Sequence, residues 1–124
     1  MPIDRQAKTE LLQRSDCVIL PLVLTRQWYA MIAAGDKREE YRALTPYWDR
    51  RVENWVKRGM SRRARRPRRL VVAFACGYKN PDLFFLCREI GARNVSEHPE
   101  WGEPAGSHFV LSLGNPITFT KDQP

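Results

Sequence analysis

Lys37, Glu40 and Arg42 stand in the stretch "GDKREEYR" (35–42), where six charged side chains occupy eight positions directly behind an apolar segment. A glutamate three residues after a lysine and two before an arginine keeps its charge and orients both cations. The result is a preorganised set of donors and an acceptor that suits a base edge and a phosphate, with lysine as the compact charge and arginine as the fork. If residues 38–42 form a strand, Arg38, Glu40 and Arg42 share one face and Glu39 and Tyr41 the other, while Lys37 sits at the turn, free to swing to either side. The residue types admit two readings: a surface ion-pair ladder that contributes little to stability, or a ligand-facing set.

The flanking elements decide how such a set would be held. "DCVILPLVL" (16–24) is β-branched and apolar and reads as a buried strand, interrupted or edged at Pro21. A helix follows, with Thr25 as its N-cap, Trp28, Met31 and Ile32 recurring at i, i+3, i+4, and Gly35 as the left-handed residue that ends it. The charged stretch thus emerges from a helix terminus into a short strand ending at Arg42. Thr45-Pro46 then caps a second helix, whose stripe is Trp48, Val52, Trp55 and Val56 and whose exposed face pairs Glu53 with Lys57.

The second half reads as strands 70–76, 83–90 and 108–113, with a turn at Gly77 and Asn80-Pro81-Asp82 and a long loop through 107. Asn115-Pro116 leads to a possible short strand at 117–119. Two early helices and five or six short strands, with no late strand-helix-strand rhythm, predict an α+β fold with a small, mostly antiparallel β-barrel. The 124 residues suit one domain, spanning 1–124.

Charge is distributed unevenly. The net charge is +7, yet residues 57–69, "KRGMSRRARRPRR", hold eight of the 21 basic residues and no acidic one, which leaves 13 basic against 14 acidic elsewhere. This basic surface loop is expected to attract phosphate backbone without sequence preference through Arg62, Arg63, Arg65, Arg66, Arg68 and Arg69. A solvated, solubilising loop is its other reading.

Among the aromatic residues, Trp28, Trp48 and Trp55 fall on apolar helical stripes and read as core. Tyr41, Tyr47, Tyr78 and Trp101 fall on turns or loops beside charges and are the candidates for stacking on a base, with Tyr78-Lys79 the best formed for a nucleotide contact. Trp101 equally suits a plug at one end of the barrel. Cys17, Cys76 and Cys87 form no CxxC pair and read as buried free thiols. His98 and His108 lack metal-ligand spacing, so no metal and no cofactor is expected. No apolar run has the length of a membrane span, and Asp4 and Glu10 argue against a secretory leader, so a cytoplasmic protein with no membrane partner is expected.

Gly35, Lys37, Glu40 and Arg42 fit G-x-K-x-x-E-x-R, which resembles the signature of the ASCH domain, a PUA-like β-barrel family linked to RNA. The resemblance extends from about residue 17 to 119: "VILPLVLTRQWYAMIAAG" supplies the strand and helix before the motif, and "LVVAFACGY", "LFFLCREIG" and "HFVLSLG" the later strands, with the loop "EHPEWGEPAG" between the last two. It implies a cleft lined by the motif that binds RNA or a modified nucleotide, with Lys37, Glu40 and Arg42 facing the ligand. Some members are enzymes, either amidohydrolases acting on acetylcytidine or ribonucleases. In the amidohydrolases a threonine nucleophile occupies the position of Glu40, beside the motif lysine. A hydrolase reading here would rest on Lys37 and Glu40, with Glu40 acting through water as general base. An interaction domain with a vestigial cleft is a third reading.

Overall fold

The computed structural model describes residues 17–60 and 68–117. Its elements are strand β1 (Cys17–Leu24), helix α1 (Arg26–Ala34), strand β2 (Glu39–Ala43), helix α2 (Pro46–Gly59), and strands β3 (Arg69–Cys76), β4 (Leu83–Arg93) and β5 (His108–Pro116), with a single 3-10 turn at Pro99–Trp101. The five strands form one sheet in the order β1-β3-β4-β5-β2. β1 and β3 run parallel, because two helices and β2 lie on the crossover between them, and the other three pairs are antiparallel. The fold is α+β, with the sheet curled into a half-barrel.

Alternation explains the curl's interior. Val18, Leu20, Leu22 and Leu24 of β1 point inward, while Pro21 and Val23 between them are exposed. These residues meet Ile32, Trp55, Val72, Phe74, Leu83, Phe85, Leu111 and Leu113 in one apolar cluster. Central strand β3 is buried on both faces, so Val71 and Ala73 join Phe84 in a second, smaller cluster. A side chain of this size contributes about 1.5–3 kcal/mol when fully buried, which makes the interior the main stabilising term.

Both predicted helices form. Gly35 ends α1 at φ +83°, where a side chain would be strained, and donates its amide to the Ile32 carbonyl at 3.1 Å. Thr25 has the extended backbone of a cap, but its side chain accepts no helix N–H. Thr45 does cap α2, accepting from the Trp48 amide at 3.3 Å, and Pro46 opens that helix. Trp55 is fully buried and donates its indole N–H to the Val18 carbonyl at 2.8 Å, which anchors α2 on β1. Glu53 and Lys57 pair at 2.8 Å on the solvent side.

The late strands run further than predicted. β4 continues to Arg93 because two register irregularities, between Phe85 and Cys87 and between Cys87 and Glu89, let it bend and keep pairing with β5. Asn115 and Pro116 belong to β5 instead of leading out of it. Ile117 donates to the Phe84 carbonyl at 2.8 Å but lies beyond the strand, and residues 118 and 119 of the expected last strand lie outside the described residues. None of the three cysteines forms a disulfide, and all are half-buried instead of buried. No described helix is long and apolar enough to cross a membrane.

Candidate functional site

The end of α1 delivers the charged residues to the sheet. After Gly35, the amides of Asp36 and Lys37 both donate to the Met31 carbonyl, at 2.9 and 3.2 Å, so the chain leaves the helix in a fixed direction. Pairing with β5 begins at once: the Leu113 amide donates to the Arg38 carbonyl at 2.9 Å, and Glu40 lies opposite Leu111.

Lys37 is therefore not free to swing, as the sequence implied. It is 2% exposed. Its Nζ donates to the Trp101 carbonyl at 2.5 Å, lies 3.5 Å from Glu40 Oε1, and sits over the rings of Tyr41 and Trp28, 4.5 and 5.2 Å from their centroids. Burial pushes the ammonium below its ordinary pKa, against the opposing attraction of Glu40. Glu40 stands between two cations, as its spacing predicts: Arg42 Nη1 lies 3.3 Å from its Oε2. Oε1 accepts the Tyr41 amide at 2.9 Å. Buried Oε2 accepts no hydrogen bond among the described residues. Arg42 is fully engaged, donating to the Tyr41 carbonyl at 2.7 Å and to the Val23 carbonyl at 3.2 Å, with its guanidinium over Trp48.

Two pockets adjoin this group. A smaller one of about 430 Å³ is lined by Glu40, Arg42, Trp28, Trp101, Thr25 and His108, among others. A larger one of about 880 Å³ is lined by Lys37, Arg38, Arg88, His98 and Trp101 over an apolar side of Ile32, Phe85 and Leu113. Trp101 belongs to both. The motif is thus split: Glu40 and Arg42 serve the smaller space and Lys37 the larger.

The wall that carries Trp101 is fastened by a buried carboxylate. Glu103 Oε1 accepts the amides of Glu97 and His98, at 2.8 and 2.9 Å, and Oε2 accepts Arg93 Nε at 2.8 Å and His108 Nε2 at 2.6 Å. Burial alone would raise the Glu103 pKa. The hydrogen bonds from His108, the two amides and Arg93 outweigh it and hold the carboxyl down at about 2. His108 Nδ1 faces the Gly106 carbonyl at 2.6 Å. Arg93 also binds Glu39 and Glu97, and Glu39 accepts the Tyr41 hydroxyl at 3.0 Å. His98 stacks on Trp101 with centroids 4.0 Å apart, and Gly102, at φ +80°, lies so close to Trp28 that a Cβ would stand 2.6 Å from its ring. Among the described residues no group of three or more His, Cys, Asp or Glu is placed to hold a metal ion.

Of the other sequence candidates only Tyr41 joins this group. Tyr41 lies within β2, not on a turn, and lines the smaller pocket, but its buried ring is covered by Lys37 and packs edge-on against His108. Tyr47 is exposed on α2, edge-on to Trp48. Tyr78, 104% exposed, stands with Lys79 on the turn after β3 and lines neither pocket. Arg62, Arg63, Arg65 and Arg66 lie outside the described residues. Arg68 donates its amide to the Gly59 carbonyl at 2.8 Å, and Arg69 is exposed at the start of β3. Sequence reading missed Trp28, whose place on a helical stripe suggested core although it also lines the smaller pocket, and Glu103, Arg93 and His108. These three are separated by a loop that offers no periodicity.

No family model and no curated protein matches the chain. The chain is similar to an ASCH protein. That protein, a mutant from Zymomonas mobilis seen in a crystal structure, is similar over 83% of this chain and 75% of its own at 15% identity, with a TM-score of 0.44. A likeness of that degree carries no argument about this chain, whose site rests on its own geometry.

Proposed function

We propose that this chain binds a nucleobase, free or within RNA, in the smaller pocket. The observation that carries this reading is Glu40, which lines a pocket with Trp28 and Trp101 and whose buried Oε2 accepts no hydrogen bond among the described residues, with only the ion-pair contact to Arg42 at 3.3 Å. An unsatisfied buried acceptor costs about 1–3 kcal/mol, which a ligand N–H would relieve. The neighbouring side chains favour a flat donor: the indoles offer faces or edges to a ring, and a glutamate is a natural acceptor for an exocyclic amine such as that of cytosine. The pocket lies within the roughly 300–1,000 Å³ range of small-ligand sites. The motif's resemblance to the ASCH signature supports the same class of ligand.

Titrating cytidine, adenosine and uridine against the intrinsic tryptophan fluorescence tests this. The amino-bearing nucleosides are expected to bind and uridine to bind at least about tenfold more weakly, consistent with the loss of one hydrogen bond to a charged acceptor. Glu40→Gln should erase the difference. Equal affinities for all three, or no binding at millimolar concentration, would sink the reading.

A hydrolase is the second reading, because the same oxygen, which has Arg42 as an ion-pair partner but accepts no hydrogen bond among the described residues, would take a proton from water if the pocket admitted one. Lys37 is already committed to Trp101 and Glu40, so the general base would be Glu40 alone. Turnover of acetylated cytidine or cleavage of RNA, abolished by Glu40→Gln, would establish it; wild-type protein inert towards both would rule it out.

A further inference from the structure

The larger pocket differs from the smaller one in what its cations are doing. Arg42, the one arginine of the smaller pocket, spends its guanidinium on two backbone carbonyls and on Glu40. Lys37 is likewise committed. In the larger pocket Arg38 and Arg88 are exposed and make no side-chain hydrogen bond or ion pair with any described residue. The carboxylate beside them, Glu39, is turned to Arg93, which it shares with Glu97 and Glu103, and to the Tyr41 hydroxyl. The lining is therefore net positive, with two guanidinium groups, on β2 and β4, above an apolar side and Glu39 as the carboxylate among them.

We propose that Arg38 and Arg88 form a phosphate subsite, so that the ligand is a nucleotide whose base lies in the smaller pocket and whose phosphate lies in the larger, with the ligand passing Trp101 between them. This rests on the base-binding reading above and extends it. Two guanidinium forks that have no partner among the described residues suit a phosphate dianion or diester, whereas Arg42 is engaged with two carbonyls and Glu40. The approximately 880 Å³ space leaves room for a sugar and for a neighbouring nucleotide. Free mononucleotide and RNA strand share this chemistry, and the ligands tested must separate them.

The experiment compares cytidine, cytidine monophosphate and a three-nucleotide cytidine RNA by calorimetry at low salt, using wild type, Arg38→Ala/Arg88→Ala, and Arg50→Ala as a surface cation outside both pockets. The readout is the ratio of nucleotide to nucleoside affinity. It is expected to be at least about tenfold in wild type and in Arg50→Ala, and to fall to about one in the double variant. A ratio near one in wild type, or a ratio that survives in the double variant, overturns the phosphate subsite while leaving the base reading intact. Failure of cytidine and nucleotide alike overturns both. An effect confined to the monophosphate identifies a free nucleotide as the source, and one shared by the trinucleotide identifies a strand. Both arginines are exposed and unbonded among the described residues, so their removal leaves the core untouched, which circular dichroism of the variant checks.

Discussion

Glu40 sits where removing a charge and removing an acceptor have different costs. Replacing it by glutamine leaves Lys37 buried opposite a neutral amide, and breaking one side of a buried pair costs about 3 kcal/mol. Urea unfolding should show that loss, whereas the double variant Lys37→Met/Glu40→Gln should be less destabilised than the sum of its parts, because the buried Lys37 charge is no longer left over. Additive costs would mean that the two side chains are uncoupled. The alternation of a strand made Glu40's place between two cations legible from its neighbours. Lys37's burial was not legible, since the atoms that cover it, the Trp101 carbonyl and the Trp28 ring, come from a loop 64 residues away and from α1.

At the scale of elements, the 94–107 connection behaves as a wall instead of a loose loop. Its fastening titrates. The Glu103 carboxyl is held at about 2 when folded against an ordinary 4.5, so the unfolded chain binds the proton more readily below that value. The stability this group supplies is complete above about pH 4.5 and is lost as pH falls towards 2. Thermal unfolding should show a fall in Tm over that window that is shallower in Glu103→Gln; parallel curves for both proteins would refute the assignment. Gly102→Ala is expected to cost at least about 1–2 kcal/mol from its left-handed backbone alone, and to shift tryptophan fluorescence as Trp28 is displaced. The helix caps at Gly35 and Thr45-Pro46 could be read from local residue types because capping is a local interaction. The wall could not, because its carboxylate gathers partners from β4, β5 and its own turn, which no short window contains.

At the scale of the molecule, the half-barrel's edges β1 and β2 are not joined by a strand ladder. Arg42 reaches across, from β2 to the Val23 carbonyl of β1, so the residue read as a ligand contact also ties the two edges together. The asymmetry of charge belongs to this scale too. Residues 57–69 carry the whole basic excess, and single-stranded RNA should bind more tightly as salt is lowered. Arg62→Ala with Arg63→Ala should weaken that binding and reduce the slope of log affinity against log salt by about 1.4, from two fewer phosphate charges neutralised. A slope unchanged by the pair would mean that the loop does not touch the strand.

The left-handed turn at Gly35 fixes one more property, the spacing of the motif itself. Helix α1 ends at a set residue, Asp36 and Lys37 are pinned by their amides to Met31, and pairing with β5 starts at Arg38. No slack exists between the helix and the sheet. Descendants of this sequence are free to vary the exposed Asp36, but a single inserted or deleted residue between 35 and 40 would put Glu40 on the opposite face and leave Lys37 without its counter-ion. The distances along the chain are therefore under stronger constraint than most of the letters, and selection on this region should show up as intolerance of gaps.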